Sequence, residues 1–137
     1  MIVVDTNVLA YLWVKGERTG SAKALLRADP EWWAPLLWRS EFRSVLATYV
    51  RAGWLPAAEA RAIAADAEEQ MAGREEIVGT EPVLELAFSS GCSAYDCEFV
   101  ALARQLDVPL VTADRRVLAA FPKVARSLER ATGQEEA

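Results

Sequence analysis

Two kinds of apolar spacing alternate along the chain. Short runs, Ile2-Val3-Val4, Trp32-Trp33-Ala34, Glu76-Ile77-Val78 and Pro109-Leu110-Val111-Thr112, read as buried strands. Between them apolar residues recur every three or four positions, the spacing of a helix with one buried face. Asp5-Thr6-Asn7 opens a short helix through Val8, Leu9 and Tyr11. Ser21 caps a second, carrying Ala24, Leu25 and Ala28 and ended by Pro30. A long helix is predicted from about Leu36 to Arg51, with Trp38, Phe42, Val45, Leu46 and Tyr49 on one stripe and Gly53 and Pro56 punctuating its end. The next holds Ala60, Ile63, Ala64, Ala67 and Met71 in register and stops near Gly73. Thr80 caps a helix with Pro82 in its first turn, and Ser93 starts another that carries Phe99, Val100, Ala103 and Leu106. A short helix through Val117 and Leu118 stops before Pro122, and Val124 to Leu128 reads as an edge strand.

Short strands alternating with helices indicate an α/β domain with a mainly parallel sheet. Residues 1–130 form one domain in this reading, and 131–137 a loose polar tail. A length of 137 residues, 53% of them hydrophobic, suffices for a core of its own. No apolar run approaches the ~20 residues of a membrane helix, and the start at Met1 has neither basic region nor cleavage site. A cytoplasmic location is therefore expected. Cys92 and Cys97 are too few to form a disulfide framework or, without partners, a metal-binding set.

The chain contains no histidine. That removes Ser-His-Asp and Cys-His hydrolysis, His-ligated zinc and the commonest general base. Chemistry, if present, falls to carboxylates or to a cation that they hold. Four acids stand out, each with an ordinary reading beside the chemical one. Asp5 directly follows the first apolar strand and Asp114 follows the fourth in Thr112-Ala113-Asp114, where either could simply cap the next helix. Asp96 sits in Ser93-x-x-Asp96, which resembles a capping box. It also heads the stripe of Phe99, Val100 and Ala103, and an unpaired carboxylate there is costly. Glu41 lies one turn before Val45 and could be a solvated residue paired with Arg39 or Arg43. If the first and fourth strands are neighbours, their carboxyl ends form the crevice in which open α/β sheets bind ligands. Acids converging there repel one another, and the usual remedy is a hard divalent cation with oxygen ligands. Mg²⁺ or Mn²⁺ suits such a site and can promote phosphodiester cleavage without histidine.

Val3-Val4-Asp5-Thr6-Asn7-Val8, Glu41 in a helix, Ala94-Tyr95-Asp96-Cys97 with Ala101-Leu102-Ala103, and Leu110-Val111-Thr112-Ala113-Asp114 together resemble the PIN-domain ribonucleases, of the VapC toxin type in bacterial and archaeal toxin–antitoxin pairs. The similarity runs from Met1 to about Leu128, and it lies in the order and spacing of the motifs. The resemblance implies a parallel sheet in the order 3-2-1-4-5 with helices on both faces. It implies that Asp5, Glu41, Asp96 and Asp114 hold Mg²⁺ or Mn²⁺ and that Thr6, Asn7 and Thr112 support them. It further implies RNA cleavage by metal-activated water, a homodimer, and inhibition by a cognate VapB-like antitoxin. Cys97 departs from the small residue that many members carry after the third acid.

The net charge of −5 means that the overall field does not attract RNA, so binding needs local cations or bridging metal. Arg39 and Arg43, which flank Glu41, and Arg115 and Arg116, which follow Asp114, are candidate phosphate contacts, although each also reads as a solvated helix charge. A phosphorylated receiver domain would need an acceptor Asp after the third strand, where Val78-Gly79-Thr80 offers none. An aspartate-nucleophile phosphatase would want a second Asp where Asn7 stands. A non-catalytic PIN-like module that binds RNA or protein is the remaining alternative, though such a module typically lacks one of the acids.

Overall fold

The computed structural model describes residues 1–133; positions 134–137 of the expected tail lie outside the described residues. The sheet has five strands, β1 (Ile2–Val4), β2 (Trp32–Pro35), β3 (Glu75–Glu76), β4 (Leu110–Val111) and β5 (Ala125–Arg126), in the order β3-β2-β1-β4-β5. All four pairings are parallel. The central pair sets Val3 opposite Leu110 and Val4 opposite Val111. Val3, Val4 and Leu110 are fully buried and Val111 nearly so, as strands covered on both faces should be.

The crossovers carry α1 (Thr6–Trp13), α2 (Thr19–Ala28), α3 (Trp38–Arg51), α4 (Ala57–Met71), α5 (Thr80–Ser90), α6 (Ala94–Leu106) and α7 (Arg115–Ala120), and α8 (Leu128–Ala131) follows β5. The connections from β1 to β2 and from β2 to β3 move outward in one direction, and that from β3 to β4 returns past them. Right-handed crossovers therefore place α1–α4 on one face and α5–α6 on the other. On that second face α6 spans the middle of the sheet, packing on β1, β2 and β4. Its Phe99, Val100, Leu102 and Ala103 are almost wholly buried, and Trp32, Trp38 and Phe42 fill the rest of the core.

Several boundaries move from the sequence reading. Helix α2 starts at Thr19 with Arg18 at its N-cap, so Ser21 is not its cap. The Thr19 hydroxyl instead fastens the α1–α2 loop, donating to the Tyr11 carbonyl at 2.6 Å and accepting the Gly16 N–H at 2.9 Å. Helix α3 begins at Trp38, two residues late, because Leu36 and Leu37 turn out of β2. Thr80 is the first residue of α5 and Gly79 its N-cap. Strand β3 is Glu75–Glu76, and Ile77 is exposed. The expected edge strand shortens to two residues, because Ser127 caps α8 through the Arg130 N–H and turns Leu128 into the core. Of the expected tail, Ala131 ends α8 and the Thr132 hydroxyl donates to the Leu128 carbonyl.

Candidate active site

Strand pairing brings the first two elements of the site together. The Asp5 N–H donates to the Val111 carbonyl at 2.9 Å, which carries the β1–β4 ladder to the strand ends. Thr112 then lies beside Asp5, and its Oγ1 donates to Asp5 Oδ2 at 2.7 Å. The same oxygen accepts the Asp114 N–H at 3.0 Å and Asn7 Nδ2 at 3.5 Å. Asn7 Oδ1 accepts the Ala113 N–H at 3.2 Å. Asp5 Oδ1 accepts the Thr6 N–H at 2.8 Å, and Thr6 Oγ1 donates to Glu41 Oε1 at 2.7 Å. One network thus joins β1, α1, α3 and the segment after β4, and it contains Thr6, Asn7 and Thr112.

All four acids stand at helix starts, Glu41 in the first turn of α3. Asp5 caps α1, Asp96 lies in the first turn of α6, where its N–H donates to Ser93 Oγ, and Asp114 caps α7 through the N–H groups of Arg116 and Val117. The capping readings are correct, and they coexist with a shared electrostatic environment. Positive helix ends partly offset the carboxylates, yet burial still wins at Asp5. Its pKa is pushed up to about 6, chiefly by burial, against the hydrogen bonds from Thr112 and Thr6; the charges of Glu41 and Asp96 push the same way. Burial also raises Glu41, which feels Asp96 and Glu98, and Asp96, which feels Asp114.

Among the described residues, none of the four acids forms an ion pair with a Lys or Arg. The Arg116 charge offsets part of the rise at Asp96. No three acids or thiols among the described residues converge as a ready-made metal centre. The acids sense each other across the notch without closing on a point, as expected of like charges. Hard oxygen donors with uncompensated charge are a chemical fit to Mg²⁺ or Mn²⁺.

Sequence reasoning missed Glu98. It lies on α6 off the Asp96 stripe, its pKa is raised by burial, and its charge reaches Glu41. It also lines a groove of about 490 Å³ with Leu36, Ser40, Ile77 and Val83. The available signal was a second carboxylate two residues after Asp96, just before the apolar run Phe99 to Ala103. Arg39 corrects the list of candidate phosphate contacts. Its Nε and Nη2 grip Glu75 at 2.6 and 2.8 Å and its Nη1 meets Glu68 at 3.1 Å, so it clamps α3 to α4 and β3. Glu75 also accepts Trp38 Nε1, and its carboxyl is held below the usual range by Arg39. Arg43 is exposed, 3.9 Å from Glu68, and Arg115 is exposed at the start of α7.

Thr112→Val keeps shape and burial but leaves the Asp114 N–H and one Asp5 oxygen without their partner. A loss of about 2 kcal/mol in stability is expected, with a smaller barrier to movement of the Asp5 and Asp114 side chains. Urea denaturation checks the first effect; an unchanged midpoint would mean that the hydroxyl organises nothing.

A family model for the PIN domain matches residues 2–126. No curated protein matches the chain significantly. Among solved structures, PAE2754 from Pyrobaculum aerophilum is 21% identical with a TM-score of 0.78, covering 97% of this chain and 87% of its own. FitAcB from Neisseria gonorrhoeae is 20% identical with a TM-score of 0.70, covering 93% and 98%. A toxin–antitoxin complex from Klebsiella pneumoniae is 19% identical with a TM-score of 0.66, covering 93% and 98%. At these identities the structural likeness speaks to the fold.

Proposed function

The chain belongs to the PIN-domain family, and from that premise we propose that it is a Mg²⁺- or Mn²⁺-dependent endoribonuclease, the VapC-type toxin of a toxin–antitoxin pair. The observation that carries the reading is Asp5: a buried carboxylate, hydrogen-bonded across β1 and β4, that feels the charges of Glu41 and Asp96 and has no cationic partner among the described residues. Family membership supports the nuclease class. The kinship in fold with a solved toxin–antitoxin complex supports an antitoxin partner of the VapB kind.

Asp5, Glu41, Asp96 and Asp114 would hold the divalent cation. Bound, it supplies a water acidic enough to attack a phosphodiester and positive charge for the oxygens of the phosphate. The chain's own residues do the positioning. Thr112 and the Thr6 N–H fix the Asp5 carboxylate. Thr6 fixes Glu41, while Asn7 ties the segment after β4 to α1. Arg115 and Arg116 are the phosphate contacts of this reading, with Arg43 farther out on α3; Arg39 is set aside because two glutamates occupy it. A homodimer and a cytoplasmic location belong to the same proposal. Among the described residues no helix is long and apolar enough to cross a membrane.

The acids' failure to close into a ready-made centre favours one rival, a PIN-like module that binds RNA or protein without cutting. Incubating the purified protein with total RNA in Mn²⁺ and in EDTA separates the two. Fragments that form in Mn²⁺ and not in EDTA are expected. Intact RNA in Mn²⁺ would leave the binding module, and fragments in EDTA would reject the role of metal.

A further inference from the structure

We propose that the turn joining α5 to α6 is a platform for single-stranded RNA, on which Tyr95 stacks a nucleobase flanking the phosphate at Asp96 while Arg116 meets a neighbouring phosphate. The proposal deepens the ribonuclease reading and rests on it.

The argument starts from charge. A chain of net charge −5 that presents several carboxylates to a polyanion needs a fixed cation close to them. Arg116 is that cation. Its backbone N–H is bound by Asp114, and its Nη2 donates to the Gly91 carbonyl at 3.2 Å. One side chain thus links α7, the acidic notch and the α5–α6 turn. Gly91 makes the turn possible, ending α5 at φ 76, where a side chain would be strained.

Two aromatic rings that the core does not take up flank this turn, one at the end of α5 and one at the start of α6. Phe88, three residues before Gly91, is 80% exposed, and Tyr95, the immediate neighbour of Asp96, is 64% exposed. No hydrogen bond or ring contact holds Tyr95 among the described residues. Trp54 is also exposed, but it follows the far end of α3 from Glu41 and packs on Tyr49. Exposed rings beside a pinned guanidinium are the chemistry of single-strand binding: faces for bases, which stack whatever their sequence, and a fork for phosphate. A duplex keeps its bases stacked inside and offers nothing to Tyr95.

Binding is read by fluorescence anisotropy of a short fluorescein-labelled single-stranded RNA in Ca²⁺, with cleavage followed separately in Mn²⁺. Tyr95→Ala should weaken binding about tenfold. Tyr95→Phe should bind like the wild type, and the same RNA annealed to its complement should bind both variants equally. Arg116→Gln should weaken binding and lower the salt slope by about one counterion. Overlapping thermal melts show that the exposed positions leave folding untouched. The platform is overturned if Tyr95→Ala binds normally, if Tyr95→Phe loses as much as Tyr95→Ala, or if Tyr95→Ala releases a bound protein partner while RNA binding stands. Those results alongside metal-dependent cleavage would spare the ribonuclease reading. Binding through Tyr95 with no cleavage would sink the ribonuclease reading instead, and a wild type that neither binds nor cuts would sink both.

Discussion

Asp5→Asn should lower RNA cleavage by at least roughly 10³-fold, the scale expected when a member of a cooperative catalytic set is removed. It should do so without unfolding the protein. The substitution removes the charge that burial opposes, which at pH 8 is worth up to about 3 kcal/mol by the pKa of about 6 against 3.8. Against that stands one compromised hydrogen bond, about 1 kcal/mol. The Asn amide can still accept the Thr6 N–H, but its NH₂ then faces Thr112 Oγ1, which already accepts from Asn7 and Asp114. The metal-free variant should therefore melt no lower than the wild type at pH 8, and should lose the advantage near pH 3, where Asp5 is neutral in both the folded and the unfolded chain. Inactivity accompanied by a collapsed melting temperature at pH 8 would reduce Asp5 to an ordinary helix cap.

The metal-free wild type should be more stable in mild acid than at pH 8. Asp5 is raised in the fold, so folding favours its neutral form. Its contribution is fully present below the unfolded value near 4 and is lost as pH rises through about 6. Glu41 and Asp96 are raised as well and act in the same direction. Glu75, held low by Arg39, acts oppositely, and its contribution is lost only as pH falls through its lowered value. Between pH 5 and pH 8 the Asp5 share alone is about 1.5 kcal/mol, or roughly 5 °C in melting temperature. Saturating Mg²⁺ or Mn²⁺ should restore most of this at pH 8 and little at pH 5, since a cation binds the ionised acids. Calorimetric scans at the two pH values, with and without metal, test this directly. Equal metal-induced shifts at both would mean that the cation is bound elsewhere.

The sequence made the architecture legible where burial alone decides structure. Ile2-Val3-Val4 and Leu110-Val111 have no polar side, and each ends in an acid that must cap, so both Asp5 and Asp114 announced themselves. Asp96 was legible because Ser93 marks a helix start that the apolar stripe then extends. What could not be read depends on partners far away in the chain. Arg39 is a structural clamp only because Glu68 and Glu75, 29 and 36 residues later, fold onto it. Strand β3 forms at Glu75–Glu76, not at the more apolar Ile77-Val78, because Glu75 is gripped by Arg39 and paired opposite Ala34. The Glu98 charge matters through Glu41, which lies on another helix. Local pattern specifies elements, whereas the identity of a polar contact is set by topology.

The hydrogen bond from Thr112 to Asp5 joins residues 107 positions apart. The two central strands that frame the notch are thus separated by nearly the whole fold, and everything between them must be made before they meet. During synthesis β1 emerges before β4 but cannot pair with it until β4 has cleared the exit tunnel, and a contact of such long range closes late. A nascent or truncated chain lacking β4 therefore carries Asp5 and Glu41 with no Thr112 to orient them and no Asp114 at all. For the proposed nuclease such a chain would be inert, and activity would come only with completion of the sheet.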